Sequence, residues 1–183
     1  MTIFFTSDHH WGHANILKYC NRPFSSVEEM DEIMIQRWNS VVSKFDTVYH
    51  LGDFCLCNDA KPYLSRLHGK IRFVIPNFHH DKNWLENKPD LPNVEYLPPI
   101  WVEKFSKDIF IVMCHYPFAV FERQHYGAFM LYGHCHDKNF SLPGFSMNVG
   151  VDHHDFYPVY FEEVKRYMIN LGWTPGWKAE WIE

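Results

Sequence analysis

Five short blocks rich in aspartate and histidine each follow an apolar run, and they constrain the fold more than any other feature of the chain. The blocks are Asp8-His9-His10, Gly52-Asp53, the segment Asn77 to Asp81, His115, and Gly133-His134-Cys135-His136. Carboxylate oxygens and imidazole nitrogens are ligands for hard and borderline cations. A strand end presents such ligands rigidly, so a largely parallel sheet can gather distant blocks at one edge. The pattern predicts strands that deliver their ligands at one end.

The rest of the sequence supplies those strands. Thr2 to Ser7 reads as the first, Thr47 to Leu51 as the second, stopped by Gly52, and Ile71 to Ile75 as the third, ended by Pro76. Val27, Met30, Ile33, Met34 and Trp38 recur at helical spacing across Ser26 to Ser43, with Ser25 or Ser26 as the N-cap. A shorter helix is expected from Ala60 to Leu67, before Gly69. Trp101 to Phe105 and Ile109 to Cys114 read as a strand pair. Ala128 to Tyr132, Phe145 to Val149 and Val159 to Phe161 read as further strands, and a helix runs through Glu162 to Arg166. Strands and helices alternate early, and strands dominate later. The expected fold is mixed α/β (α+β), a two-layer β-sandwich flanked by helices, with the site at strand ends. Residues 1–163 form the expected domain, and residues 164–183 a helix and tryptophan-rich tail packed on it.

The chain has 183 residues, of which 46% are hydrophobic, enough for one domain with a substantial core. A net charge of -5 without a long basic run argues against broad nucleic-acid capture. No apolar run reaches membrane-spanning length, and Met1-Thr2-Ile3-Phe4-Phe5 is too short and uncharged for a signal peptide. The five cysteines show no disulfide-framework spacing. Cys55, Cys114 and Cys135 read as small buried side chains near the proposed ligands, and Cys55-x-Cys57 lacks the second pair of a zinc-thiolate site. A reducing cytoplasm is the expected setting.

Asp8 and His10 lie two apart, as do His134 and His136, and Gly52 lets the backbone turn so that Asp53 faces inward. Two carboxylates, at least four imidazoles and one amide exceed a single tetrahedral zinc site. They suit two metals about 3.5–4 Å apart that share a carboxylate, an arrangement that handles phosphate esters.

These blocks, with Trp11-Gly12-His13-Ala14-Asn15-Ile16, Arg22-Pro23-Phe24 and Asn148-Val149-Gly150-Val151-Asp152, resemble the calcineurin-like metallophosphoesterases of the compact bacterial and phage type. The resemblance covers roughly residues 1 to 163. It implies that Asp8, His10 and His136 hold one metal, that Asp53 bridges, and that Asn77, His115 and His134 hold the second. It implies two divalent ions, manganese foremost among manganese, iron, zinc and nickel. A hydroxide bridging them would be the nucleophile. His80 would be the general acid, with Asp81 orienting it, and Asn77, His13 and Arg22 would contact substrate. The family's Gly-Asn-His-Asp is here Pro76-Asn77-Phe78-His79-His80-Asp81, so His79 rivals both Asn77 as ligand and His80 as acid.

The implied function is hydrolysis of a phosphodiester or nucleotide. The alternatives are a nucleotide phosphomonoesterase, and a metal-binding scaffold with impaired catalysis that acts through a partner. A short cap is expected from residues 15 to 24 and 118 to 126. His9, His125, His153 and His154 are expected at the surface or rim, and His50 buried and hydrogen-bonded.

Overall fold

Alternate residues of the central strands enter different cores, and this sets the layering. The computed structural model describes residues 1–75, 80–138 and 140–180. In chain order its first elements are β1 (Ile3–Thr6), α1 (Ile16–Tyr19), α2 (Val27–Val41), β2 (Thr47–His50), α3 (Lys61–Leu64), β3 (Lys70–Val74), α4 (Lys82–Leu85) and β4 (Val94–Leu97). Then come β5 (Ile100–Lys104), β6 (Phe110–Cys114), β7 (Phe129–Tyr132), β8 (Phe145–Asn148), β9 (Val159–Tyr160) and α5 (Phe161–Asn170).

One sheet has the order β4-β3-β2-β1-β9, parallel except for β9. The other has the order β5-β6-β7-β8, with β6, β7 and β8 parallel and β5 antiparallel at the edge. Between the sheets, Phe5, Tyr49, Leu51 and Val74 meet Ile111, Met113, Phe129 and Leu131. Their strand neighbours point the other way. Phe4, Val48, Ile71 and Phe73 pack under α2, while Val112, Cys114, Met130 and Tyr132 form a third core. Burial on both faces explains why these strands read as continuous apolar runs.

Ser26 caps α2 by accepting from the Glu29 amide at 3.1 Å. Met30, Met34 and Trp38 are fully buried along its inner face, the two methionines each worth about 1.5–3 kcal/mol relative to exposure.

Three sequence expectations need correction. The edge strand β4 escaped notice: Val94 to Leu97 are only half-buried on either face, so the segment lacks a strong apolar pattern. The helix after Ala60 spans four residues, Lys61–Leu64. Helix α5 begins at Phe161, so a boundary after residue 163 falls within its first turn. The tail does pack on the sandwich: Trp173 is buried edge-on against Phe129 at 5.1 Å, and Trp177 edge-on against Phe145 at 5.0 Å. Among the described residues no helix is long and apolar enough to cross a membrane.

Candidate metal centre

The two sheets meet at the C-terminal ends of their parallel strands, where Ser7 after β1 bridges to Gly150 after β8. Asp8 and His10 follow β1, Asp53 follows β2, His115 follows β6, and His134 and His136 follow β7. Backbone hydrogen bonds fasten these ends together. Asp8 N donates to Gly52 O and His10 N to Asp53 O, each at 3.0 Å, and Gly133 N donates to His115 O at 2.9 Å. The His134 amide donates to both carboxylate oxygens of Asp8, at 3.1 and 3.0 Å.

Five of the expected ligands occupy the left-handed backbone region: Asp8 (φ 64°), His10 (55°), Asp53 (53°), His134 (68°) and His136 (46°). Non-glycine residues rarely adopt it, and such strain gathers at functional sites. Gly133 and Gly150 make room for Asp8, since a β-carbon at either would overlap its carboxylate.

Among the described residues, two of the four clusters of possible ligand atoms share Asp53. Asp8, His10, Asp53 and His136 can each bring a ligand atom within 4.8 Å of the others, and so can Asp53, His115 and His134. Asp53 Oδ2 lies 3.2 Å from His10 Nε2 and 3.6 Å from His115 Nε2. The described residues thus contain six of the seven expected ligands in the expected grouping. Asn77, and its rival His79, lie outside the described residues.

The residues fit a cation pair on their own chemistry. Asp8 and Asp53 are buried, His10 Nδ1 is buried without a hydrogen bond, and His10 Nε2 is buried facing Asp53. Burial, and next the charge of Asp53, push the Asp8 carboxyl up to about 7. Burial pushes His10 down to about 4, against the pull of Asp53. Two close buried carboxylates beside the neutral imidazole of His10 call for positive charge.

Outer partners orient two of these rings, as is usual for histidines that bind metals. His115 Nδ1 lies 2.8 Å from the Leu51 carbonyl, which can only accept. Nδ1 therefore carries a proton, and Nε2, 3.6 Å from Asp53 Oδ2, is the nitrogen that a cation between them would take. His136 Nδ1 lies 2.8 Å from Asp152 Oδ2. Burial lowers the His136 pKa, but hydrogen bonds to Asp152 and Cys20 and the charges of Asp8 and Asp152 outweigh it and raise it to about 10.

Arg22 takes a different part from the expected substrate contact. Its side chain is fully buried, its Nε and Nη2 donate to Asp152 at 2.8 and 2.9 Å, and its Nη1 and Nη2 donate to the His9 and Asp8 carbonyls at 2.7 and 2.6 Å. The guanidinium fork is spent on positioning the ligand loop.

Asp81 does not orient His80. Its buried carboxylate accepts from the Phe54 and Cys55 amides and from Trp84 Nε1, which ties down the segment after Asp53.

His9 is buried rather than at the rim, stacked on Trp11 at 4.1 Å. Its Nδ1 lies 2.9 Å from Nε2 of His50, which is buried and hydrogen-bonded as expected. The Gly52 amide donates to His50 Nδ1, so His50 donates onward to His9.

Cys55 and Cys57 form a disulfide, where separate thiols were expected. Cys114 and Cys135 are buried thiols, as expected.

The cleft over the centre is bordered by His13 and His80, whose rings lie 5.4 and 5.0 Å from that of His10. Of the expected cap, Ile16, Tyr19 and Cys20 line this cleft. Phe121, from the other expected cap segment, packs in the third core instead. Sequence reasoning assigned no role to Cys20 or Asp152. The only signal for Asp152 was its place in the Asn148 to Asp152 stretch.

No family model matches the chain. It is 50% identical over 84 residues to the uncharacterized protein MJ1445 of Methanocaldococcus jannaschii, covering 44% of this chain and 47% of that one. It is 46% identical over 82 residues to the Gene 66 protein of Mycobacterium phage L5, covering 42% of this chain and 38% of that one. The chain therefore spans less than half the length of these curated relatives. The crystal structure of the protein of unknown function AQ665 from Aquifex aeolicus matches with a TM-score of 0.70 at 22% identity, over 90% of this chain and 98% of that one. At that identity the likeness establishes a shared fold and nothing further.

Proposed function

We propose that this chain is a calcineurin-like, metal-dependent phosphoesterase that hydrolyses a phosphodiester or a nucleotide. The observation that carries the reading is Asp53, whose carboxylate belongs at once to the Asp8–His10–His136 group and to the His115–His134 group. Two divalent cations sharing it would supply an acidified water and neutralise charge on phosphoryl oxygens.

The protein's own residues do the rest. Asp152, anchored by Arg22, holds the His136 ring, and the Leu51 carbonyl fixes the His115 tautomer. Asp81 braces the backbone beside Asp53. His80 is exposed on the cleft side of His10 and is the proton donor to the leaving oxygen in this reading. His13 faces the same space and contacts substrate. Asn77 as ligand and His79 as rival donor rest on the sequence resemblance alone. Manganese is the metal of choice here.

The test is hydrolysis of bis-p-nitrophenyl phosphate by metal-stripped protein, before and after manganese is restored, beside the monoester. The proposal expects manganese-dependent cleavage that favours the diester. Turnover of neither ester by the metal-loaded chain would refute it.

A further inference from the structure

The cleft beside the cation ligands has an aromatic flank that chemistry at phosphorus does not need. A cavity of about 410 Å³ has His10, His134 and His136 on one side and Tyr19, Cys20 and Phe140 among its remaining walls. Tyr19 ends α1, and Phe140 lies four residues beyond His136, so separate segments bring both rings to one space. Tyr19 is 73% exposed and Phe140 52%, and neither belongs to any of the three cores. Their apolar surface is thus left facing solvent beside the centre. Lys138 and Asp137 also line the cavity. The space therefore joins a cation-binding end, an ammonium group and a carboxylate to a pair of aromatic surfaces.

We infer that this cavity is a subsite for the base of a nucleoside phosphate, with the ring against Tyr19 and Phe140 and the phosphate reaching the histidine side and Lys138. The inference rests on the phosphate-handling reading above and narrows it. Its volume falls within the range of small-molecule sites, roughly 300–1,000 Å³. Aromatic side chains hold any base by its π-face, which suits a site that tolerates several bases. Lys138 complements a phosphate charge, and Asp137 can accept from a ribose hydroxyl or a base amino group. An alkyl or glycerol ester would leave both rings unused.

Two ratios test the inference on the full chain loaded with manganese. Calorimetric titration compares thymidine 5′-monophosphate with inorganic phosphate. Hydrolysis compares thymidine 5′-(p-nitrophenyl phosphate) with methyl p-nitrophenyl phosphate, which releases the same leaving group. Both ratios should favour the nucleoside compound by about tenfold or more, and Tyr19→Ala or Phe140→Ala should cut them about fivefold or more. Both side chains are largely exposed, so the variants should fold, and circular dichroism checks this.

Ratios near unity in the parent, or parental ratios in both variants, would overturn the subsite. If neither ester is cleaved while the affinity ratio behaves as expected, the subsite stands and the esterase reading fails. If both esters are cleaved without a nucleoside preference, the esterase reading stands and the subsite fails.

Discussion

Replacing Arg22 with methionine should destabilise the protein severely even though the residue touches no proposed metal ligand side chain. The substitution removes both hydrogen bonds to Asp152 and both bonds to the Asp8 and His9 carbonyls. The Asp152 side chain is only 4% exposed, so its carboxylate cannot turn to water. Removing one partner of a buried ion pair costs about 3–5 kcal/mol, and His136, which still faces Asp152, places this case toward the lower end. The orphaned carbonyls overlap with that figure and are not added to it. For a chain of this size the melting temperature should fall by roughly 6–20 °C.

Thermal unfolding of metal-stripped protein by circular dichroism measures this without interference from metal binding. Adding Asp152→Asn to the Arg22→Met variant should recover part of the loss, because the buried carboxylate, left with His136 as its one side-chain partner, is then neutral. A melting temperature within about 1 °C of the parent, together with a raised KM for substrate, would refute the structural role and restore the substrate-contacting one.

Three further outcomes follow from particular contacts. Gly133→Ala should abolish tight metal binding while circular dichroism stays native, since the added methyl group collides with the Asp8 carboxylate and the Ser7 side chain; metal analysis after dialysis checks it. Ser26→Ala removes the side-chain acceptor for the Glu29 amide and should cost about 1 kcal/mol in urea unfolding. Burial pushes the Asp31 carboxyl up to about 6, against hydrogen bonds from Tyr63 and the Gly12 amide. Its protonated form therefore favours folding below the ordinary value of 3.8, and that contribution is lost as pH rises through about 6. Asp31→Asn should flatten the decline in urea midpoint between about pH 4 and 6.

The features legible in the sequence were those that local pattern determines. Strands β1, β2, β3, β6 and β7 announce themselves because both faces are buried, and α2 because its apolar face repeats at helical spacing. The ligand blocks are legible because each lies within a few residues of a strand end. The partners that position the ligands are not local. Arg22 and Asp152 are 130 positions apart, and nothing near either residue signals the other. His9 is buried by Trp11, Trp38 and His50, two of them from distant elements. Asp81 misled because adjacency to His80 suggested a partner, while its carboxylate faces the Phe54 and Cys55 amides.

The shared carboxylate is the feature on which everything else depends. Metal-stripped chain can be titrated with manganese while the free aqueous ion is followed by electron paramagnetic resonance. A bridging Asp53 predicts about two tightly bound ions per parent chain, about one after His115→Ala, and none after Asp53→Asn. A single ion in the parent, or two retained by Asp53→Asn, would contradict it.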